Sequence, residues 1–332
     1  MSDSEHSEGV SLAAPVVKGR TFAAREMVAC EVCARANPPN RSQCLYCGNG
    51  LPGVVADSIS VGQTEAAAPR GTLCLSANQL QNVGREILAA LARLVSAKIE
   101  DLAGAVAAGG ALPLAASTDS AQDEKLKAQI RELGLEPFKV PPEDAGAGFR
   151  KIRGLDLSSD VVRPVPPASE DFAHDWRDIV LIVIGRIVTT KIEIDEKRRR
   201  GKSKPLDACQ FSSDQLLMDL YFKAGDPWRI YEDNFDYSCL GERKSVTAFE
   251  NFGRLLDLLN ERAPLVDIDK SYAKKRVLLA SVWPLDEQSR KTVSFVRDRK
   301  HQQSTTISNE SQFNKYSRAA YLLKMNAGER AE

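Results

Sequence analysis

Between Leu80 and Val106 the chain carries an apolar residue at three- and four-residue steps: Leu80, Val83, Ile87, Leu91, Leu94, Ile99, Leu102 and Val106. Gln, Arg, Glu and Lys fill the gaps, Ser76 stands where an N-cap belongs, and Gly109-Gly110 closes the pattern. That periodicity predicts one amphipathic helix over 76–108, about 45 Å long at ~1.5 Å per residue. Its stripe, with Leu at heptad-like steps, has two uses: packing on this chain's own domains, or self-association through 76–108. Further on the period changes to that of β-structure. Ile179 to Val188 and Lys191 to Ile194 read as strand, as do Leu216 to Phe222, Trp228 to Tyr231, Phe235 to Leu240 and Arg276 to Trp283. Trp228, Phe235, Tyr237 and Cys239 alternate like the inward face of a sheet. Ser245 caps a helix with the face Phe249, Phe252, Leu255, Leu256 and Leu259, and a last helix spans about Gln312 to Met325.

The stretches without period set the domain boundaries. Residues 1–26 are small and polar and read as a disordered tail, 54–75 as a linker, and 109–170, rich in Ala, Gly and Pro, as a second linker with one short helical piece near Asp123 to Leu133. What remains is a cysteine-rich module at 27–53, the helix at 76–108 and an α+β domain over 171–327, so the fold class expected is multi-domain and mostly α+β. The longest apolar run, Ile179 to Ile184, is far too short for a membrane span, and the acidic start of the chain carries no signal-peptide pattern.

Composition changes this picture in one respect. Of 332 residues, 45 are Lys or Arg and 45 are Asp or Glu, so the formal net charge is zero. A protein built as a whole to coat nucleic acid or an anionic membrane is excluded, and only a local basic patch remains. Seven cysteines, four of them in two Cys-x2-Cys pairs, suit a reducing cytoplasm with one metal site better than a disulfide scaffold.

Those pairs are Cys30/Cys33 and Cys44/Cys47, ten residues apart. Each places two thiolates on one tight turn, and two such turns supply the tetrahedral sulfur set that Zn2+ prefers. All four positions are thiolate, which leaves no ligand slot for a reactive water and marks the zinc as structural. Too few apolar residues surround the pairs for the module to fold without the ion, so metal binding is its folding energy. The run Cys30-x2-Cys33-x3-Asn37-x6-Cys44-x2-Cys47, followed by Gly48, resembles the Ran-binding-protein-type zinc fingers and small four-cysteine zinc ribbons over residues 27–52. The resemblance implies zinc ligation by Cys30, Cys33, Cys44 and Cys47 and a binding role. Ala34-Arg35 stands where ubiquitin-binding members carry Thr-Phe, and Pro38, Pro39 and Asn40 stand where RNA-binding members carry a stacking aromatic.

A second concentration of chemistry is basic. Lys197, Arg198, Arg199, Arg200, Lys202 and Lys204 fall within eight positions between two strand candidates. On a hairpin they converge, and their repulsion is relieved by counterions or an anionic partner. The alternative is a solvated turn partly neutralised by Glu193, Asp195, Glu196 and Asp207. In element order the 171–300 region resembles pleckstrin-homology domains, in which such a loop would be a phosphate site. No nucleophile elbow, HExxH, P-loop or dinucleotide fingerprint occurs. The expectation is a non-enzymatic, cytoplasmic zinc-binding adaptor or regulator with a protein partner. The alternative is a nucleic-acid-binding regulator that uses the zinc ribbon and the basic loop; anionic lipid is a further anionic partner, and an unrecognised enzyme stands last.

Overall fold

The computed structural model describes residues 28–29, 36–37, 71–117, 119–142, 148–157, 160–165, 173–199, 202–294 and 300–329. The chain divides into two compact units, Met1–Gly62 and Gln63–Glu332. In the first, β1 (Val28–Ala29) pairs antiparallel with β2 (Ala36–Asn37), Ala29 opposite Ala36.

The second unit begins earlier than the sequence pattern suggests. Gly71–Ser76, expected within a linker, is a strand (β3) with Leu73, Cys74 and Leu75 buried. The single helix expected over 76–108 is broken. After a short 3₁₀ turn that Ser76 caps, α1 runs Arg85–Leu94 and α2 runs Ile99–Ala108. Between them Ser96 takes a left-handed φ of 54°, so the helix axis cannot continue. The apolar stripe survives the break: Leu80, Leu91, Leu102 and Val106 are buried inside the unit, while Val83, Ile87, Leu94 and Ile99 are half-buried. Leu91 and Leu102 are fully buried against Leu73, Leu75, Leu112, Leu114, Ile130 and Leu278.

The second expected linker is also folded. It holds β4 (Ala111–Ser117), α3 (Ser120–Glu132) and β5 (Phe138–Val140), and β3 lies between β4 and β5 in a three-stranded sheet. Short strands follow: β6 (Arg150–Ile152), β7 (Leu155–Asp156), β8 (Val161–Pro164) and β9 (His174–Asp175), the last three forming a small sheet.

Two 21-residue strands form the spine of the unit, β10 (Ile179–Arg199) and β11 (Lys202–Phe222), paired antiparallel along their whole length. After β12 (Trp228–Tyr231), the segment Phe235–Leu240, expected as strand, forms a 3₁₀ turn over Tyr237–Arg243; of the expected inward face, Trp228, Phe235 and Tyr237 are buried and Cys239 is half-buried. Helix α4 (Ala248–Arg262) is capped by Thr247 rather than Ser245; it buries Phe252, Leu255, Leu256 and Leu259 but leaves Phe249 62% exposed. Strand β13 (Asp267–Asp269) follows, and Arg276–Val282, expected as strand, is helix α5. Two strands had no apolar signature at all: β14 (Asp286–Ser294) and β15 (Lys300–Ser308). Helix α6 (Glu310–Glu329) ends the unit. The fold is thus mixed α+β.

The large sheet has the order β14-β15-β10-β11-β12-β6, with β13 also paired to β10. Near the start of β10 it is covered on both faces, which explains the unbroken apolar run there. Ile182 and Met218 pack in the cluster that holds Phe252, Leu255 and Leu259 of α4, while Leu181, Val183 and Leu217 pack in the one that holds Phe313, Tyr316 and Ala319 of α6. Gly185 permits the α6 approach: a methyl group there would lie 2.8 Å from Phe313 Cζ, below any real contact. No helix among the described residues is long and apolar enough to cross a membrane.

Candidate anion-binding end of the large sheet

The four cysteines of the expected zinc site, Cys30, Cys33, Cys44 and Cys47, lie outside the described residues. Their flanks do not: the β1/β2 register brackets residues 30–35, the segment of sequence that holds the first pair. The donor set, four thiolates in two close pairs, fits a structural zinc ion. Among the described residues, no three His, Cys, Asp or Glu side chains gather as a metal group.

The basic residues fall at the far end of the spine hairpin. Lys197, Arg198 and Arg199 are the last residues of β10, and Lys202 and Lys204 lie in the first three of β11; Arg200 is outside the described residues. Lys197 is opposite Lys204, Arg198 opposite Ser203, and Arg199 opposite Lys202. A bulge at Asp195/Glu196, where Leu206 is the extra residue, separates this end from the rest of the ladder.

Sequence reasoning missed a third strand. On the other side of β10, Lys197 is opposite Lys300, the first residue of β15. The register that puts it there is set eight residues away, at the base of the arm, where Ser308 is opposite Thr189. Next to Ser308, buried Asn309 clamps the β10 backbone from both directions: its Oδ1 accepts from Val188 N–H at 2.7 Å and its Nδ2 donates to Arg186 C=O at 3.0 Å. From there β10 and β15 run without a bulge to Lys197 and Lys300. Only the pairing reveals Lys300, because β14 and β15 are polar strands far from the first basic run in sequence.

The acidic residues named beside the basic run sort differently. Glu193 is engaged by Lys191 at 2.6 Å. Asp195 is opposite Asp207, and Glu196 is opposite Pro205 and His301.

Three other polar groupings stand elsewhere in the second unit. The Asp219–Arg229 pair is buried in the α6 layer, with Arg229 Nε and Nη2 donating to Asp219 at 2.6 and 2.8 Å and Nη1 to Asn314 Oδ1 at 2.7 Å. Burial pushes the Asp219 carboxyl up, and the guanidinium and the Ser317 hydroxyl pull against it. Lys275, 1% exposed, donates to Ala111 C=O at 2.8 Å and to Tyr316 Oη at 3.0 Å, so it ties the β3–β5 sheet to α6; burial brings its ammonium down to about 8. An open cleft of about 270 Å3 is lined by Asp156, Asp236, Ser238 and Cys239. Burial pushes the Cys239 thiol up to about 11, the wrong direction for a nucleophile at neutral pH. The first two hold elements together, and the cleft lacks an activated group.

No protein-family model matches the chain, and no curated protein or solved structure matches it.

Proposed function

We propose that this protein is a non-enzymatic, cytoplasmic adaptor that joins a zinc-stabilised module at 27–53 to an α+β domain whose sheet end binds nucleic acid. The observation that carries the reading is the row Lys300–Lys197–Lys204, three cations side by side on three adjacent strands, with Arg199 and Lys202 one step beyond. Like charges directly opposite one another destabilise a ladder, and here they recur in two successive rows. Such an arrangement is stabilised by a polyanion that replaces scattered counterions. Structural zinc on Cys30, Cys33, Cys44 and Cys47 supplies folding energy to the first module and takes no part in chemistry. The two Cys-x2-Cys pairs support that assignment through their donor set, and the resemblance to zinc fingers supports a binding role. Of the two readings open from sequence, a protein-directed adaptor and a nucleic-acid-binding regulator, the third basic strand favours the second.

The test is a titration of a labelled oligonucleotide with the full chain, followed by fluorescence anisotropy. Contacts made through phosphates give an affinity that falls steeply between ~50 and ~200 mM salt. Binding that ignores salt, or no binding at the lower concentration, overturns the reading.

A further inference from the structure

From Tyr272 the chain winds as one helical run, a 3₁₀ turn over Tyr272–Lys275 that leads directly into α5. Tyr272, Lys275, Leu278, Leu279 and Val282 are buried, which fixes the inner face of that run. The opposite face carries Ala273, Val277, Ala280 and, just past the end of α5, Pro284; all four are exposed. A solvated helix face carries polar residues along its midline, and here the midline is apolar. Val277 is 67% exposed, and Leu285, which follows Pro284, is 44% exposed. The Ser281 hydroxyl beside them turns back to Leu278 C=O at 2.7 Å. The ridge is held firmly from behind: Trp283 Nε1 donates to Thr72 Oγ1 at 2.9 Å, and Trp283 C=O accepts from Gln312 Nε2 at 2.7 Å.

The charges lie at the two ends of the ridge and differ in sign. Lys270, Lys274 and Arg276 stand at its start, Asp286 and Glu287 at its finish, all of them exposed. None of these takes part in an ion pair among the described residues. The sheet register gives the span. Asp269, next to Lys270, is opposite Val183 of β10, whereas Asp286 is opposite Ser308, which is opposite Thr189. The stretch of β10 from Val183 to Thr189, at ~3.3 Å per residue, puts the cationic and anionic ends about 20 Å apart along that strand.

We infer that this ridge is the contact between two copies of the chain, related by a two-fold axis near Ser281. Turned end for end, a second copy sets its Leu285 against Val277 and its Asp286 against Arg276, and by symmetry each contact occurs twice. An apolar strip flanked by opposite charges is complementary to itself in that orientation. A nucleic acid or an anionic membrane drawn to the cations would meet Asp286 and Glu287 as well. The formal net charge of zero leaves no net repulsion between copies. The ridge offers roughly a dozen residues from each copy, below the ~20–30 of a standard interface, so the pair is weak and forms as concentration rises. The inference is independent of the nucleic-acid reading.

Sedimentation velocity of the full chain from ~1 to ~200 µM tests it: the mass should rise from one chain toward two and stop there, because a two-fold contact closes. Val277→Lys, at an exposed position, should leave the urea midpoint unchanged and hold the mass at one chain throughout. Arg276→Glu should weaken association about 10-fold or more, since the reversal acts twice, and adding Asp286→Arg should bring it back. That rescue separates the contact from any loss of folding. A mass of one chain at every concentration overturns the inference, as does a mass that keeps growing. A two-chain mass that survives Val277→Lys, or a charge exchange that does not rescue Arg276→Glu, puts the contact elsewhere and overturns it as well.

Discussion

Replacing Arg229 by Met should remove the most heavily connected ion pair of the second unit. Arg229 is 3% exposed and Asp219 fully buried. The guanidinium makes two hydrogen bonds to the carboxylate, a third to Asn314, and stacks 3.8 Å above the Phe149 ring. In Arg229→Met the carboxylate keeps the Ser317 hydroxyl at 2.7 Å and loses its counter-charge. Leaving one buried partner of an ion pair uncompensated costs about 3–5 kcal/mol. Against the ~5–15 kcal/mol that holds a typical domain, that is about a fifth of the whole or more. The loss should depend on pH. With its guanidinium gone, Asp219 titrates in the folded state well above its unfolded value near ~3.9, so the folded state binds the extra proton and stability falls as pH rises through that window. The deficit of Arg229→Met should therefore be largest at neutral pH and shrink toward pH ~4. Urea unfolding followed by tryptophan fluorescence, with Trp228 fully buried beside Phe222, reads it directly. Adding Asp219→Leu to Arg229→Met should restore most of the stability, because a buried apolar pair needs no counter-charge. A deficit under about 1 kcal/mol, or one that is flat with pH, would refute the argument.

Three further outcomes follow from the same packing. Lys275→Met should abolish a rise in stability of up to about 3 kcal/mol that the natural chain gains between pH ~8 and ~10.4, because the buried amine sheds its proton near 8 while the unfolded chain keeps it; urea midpoints across that range report it. Cys44→Ser with Cys47→Ser should eliminate bound zinc, expected at one ion per chain by elemental analysis, and leave the melting of the Gln63–Glu332 unit unchanged. Leu91→Ala should cost about 2–5 kcal/mol by opening a cavity under α1, with no change in the mass seen by light scattering, since Leu91 is itself fully buried within the unit.

The sequence made some of this legible and hid the rest for physical reasons. Apolar periodicity located the interior correctly at Leu91, Leu102, Leu255 and Leu259, since burial needs only the right side chains at the right steps. It did not show the break at Ser96, because neither Gly nor Pro marks it and the stripe keeps its spacing through Val95. Arg276–Val282 is a short apolar run in which period cannot separate helix from strand, and packing of Leu278 and Leu279 decided for helix. Strands β14 and β15 carry few apolar residues, so no alternation announces them, and only the pairing of β15 with β10 and of β14 with β15 makes them strands. The basic run was plain in composition. The arrival of Lys300 opposite Lys197 depends on register, which Asn309 sets from the base of the arm. The likeness to pleckstrin-homology domains rested on an element order that Tyr237–Arg243 and Arg276–Val282, both helical, have changed.

The most direct test of the basic end is the salt dependence of duplex binding by the natural chain and by Lys300→Ser. Five phosphate contacts predict a slope of log affinity against log salt of about −4.5, equivalent to about a 500-fold loss between ~50 and ~200 mM. Removing Lys300 should flatten that slope by about 0.9, although it lies about a hundred residues from the other four. A slope near −1 for the natural chain, or an unchanged slope in Lys300→Ser, would contradict the account.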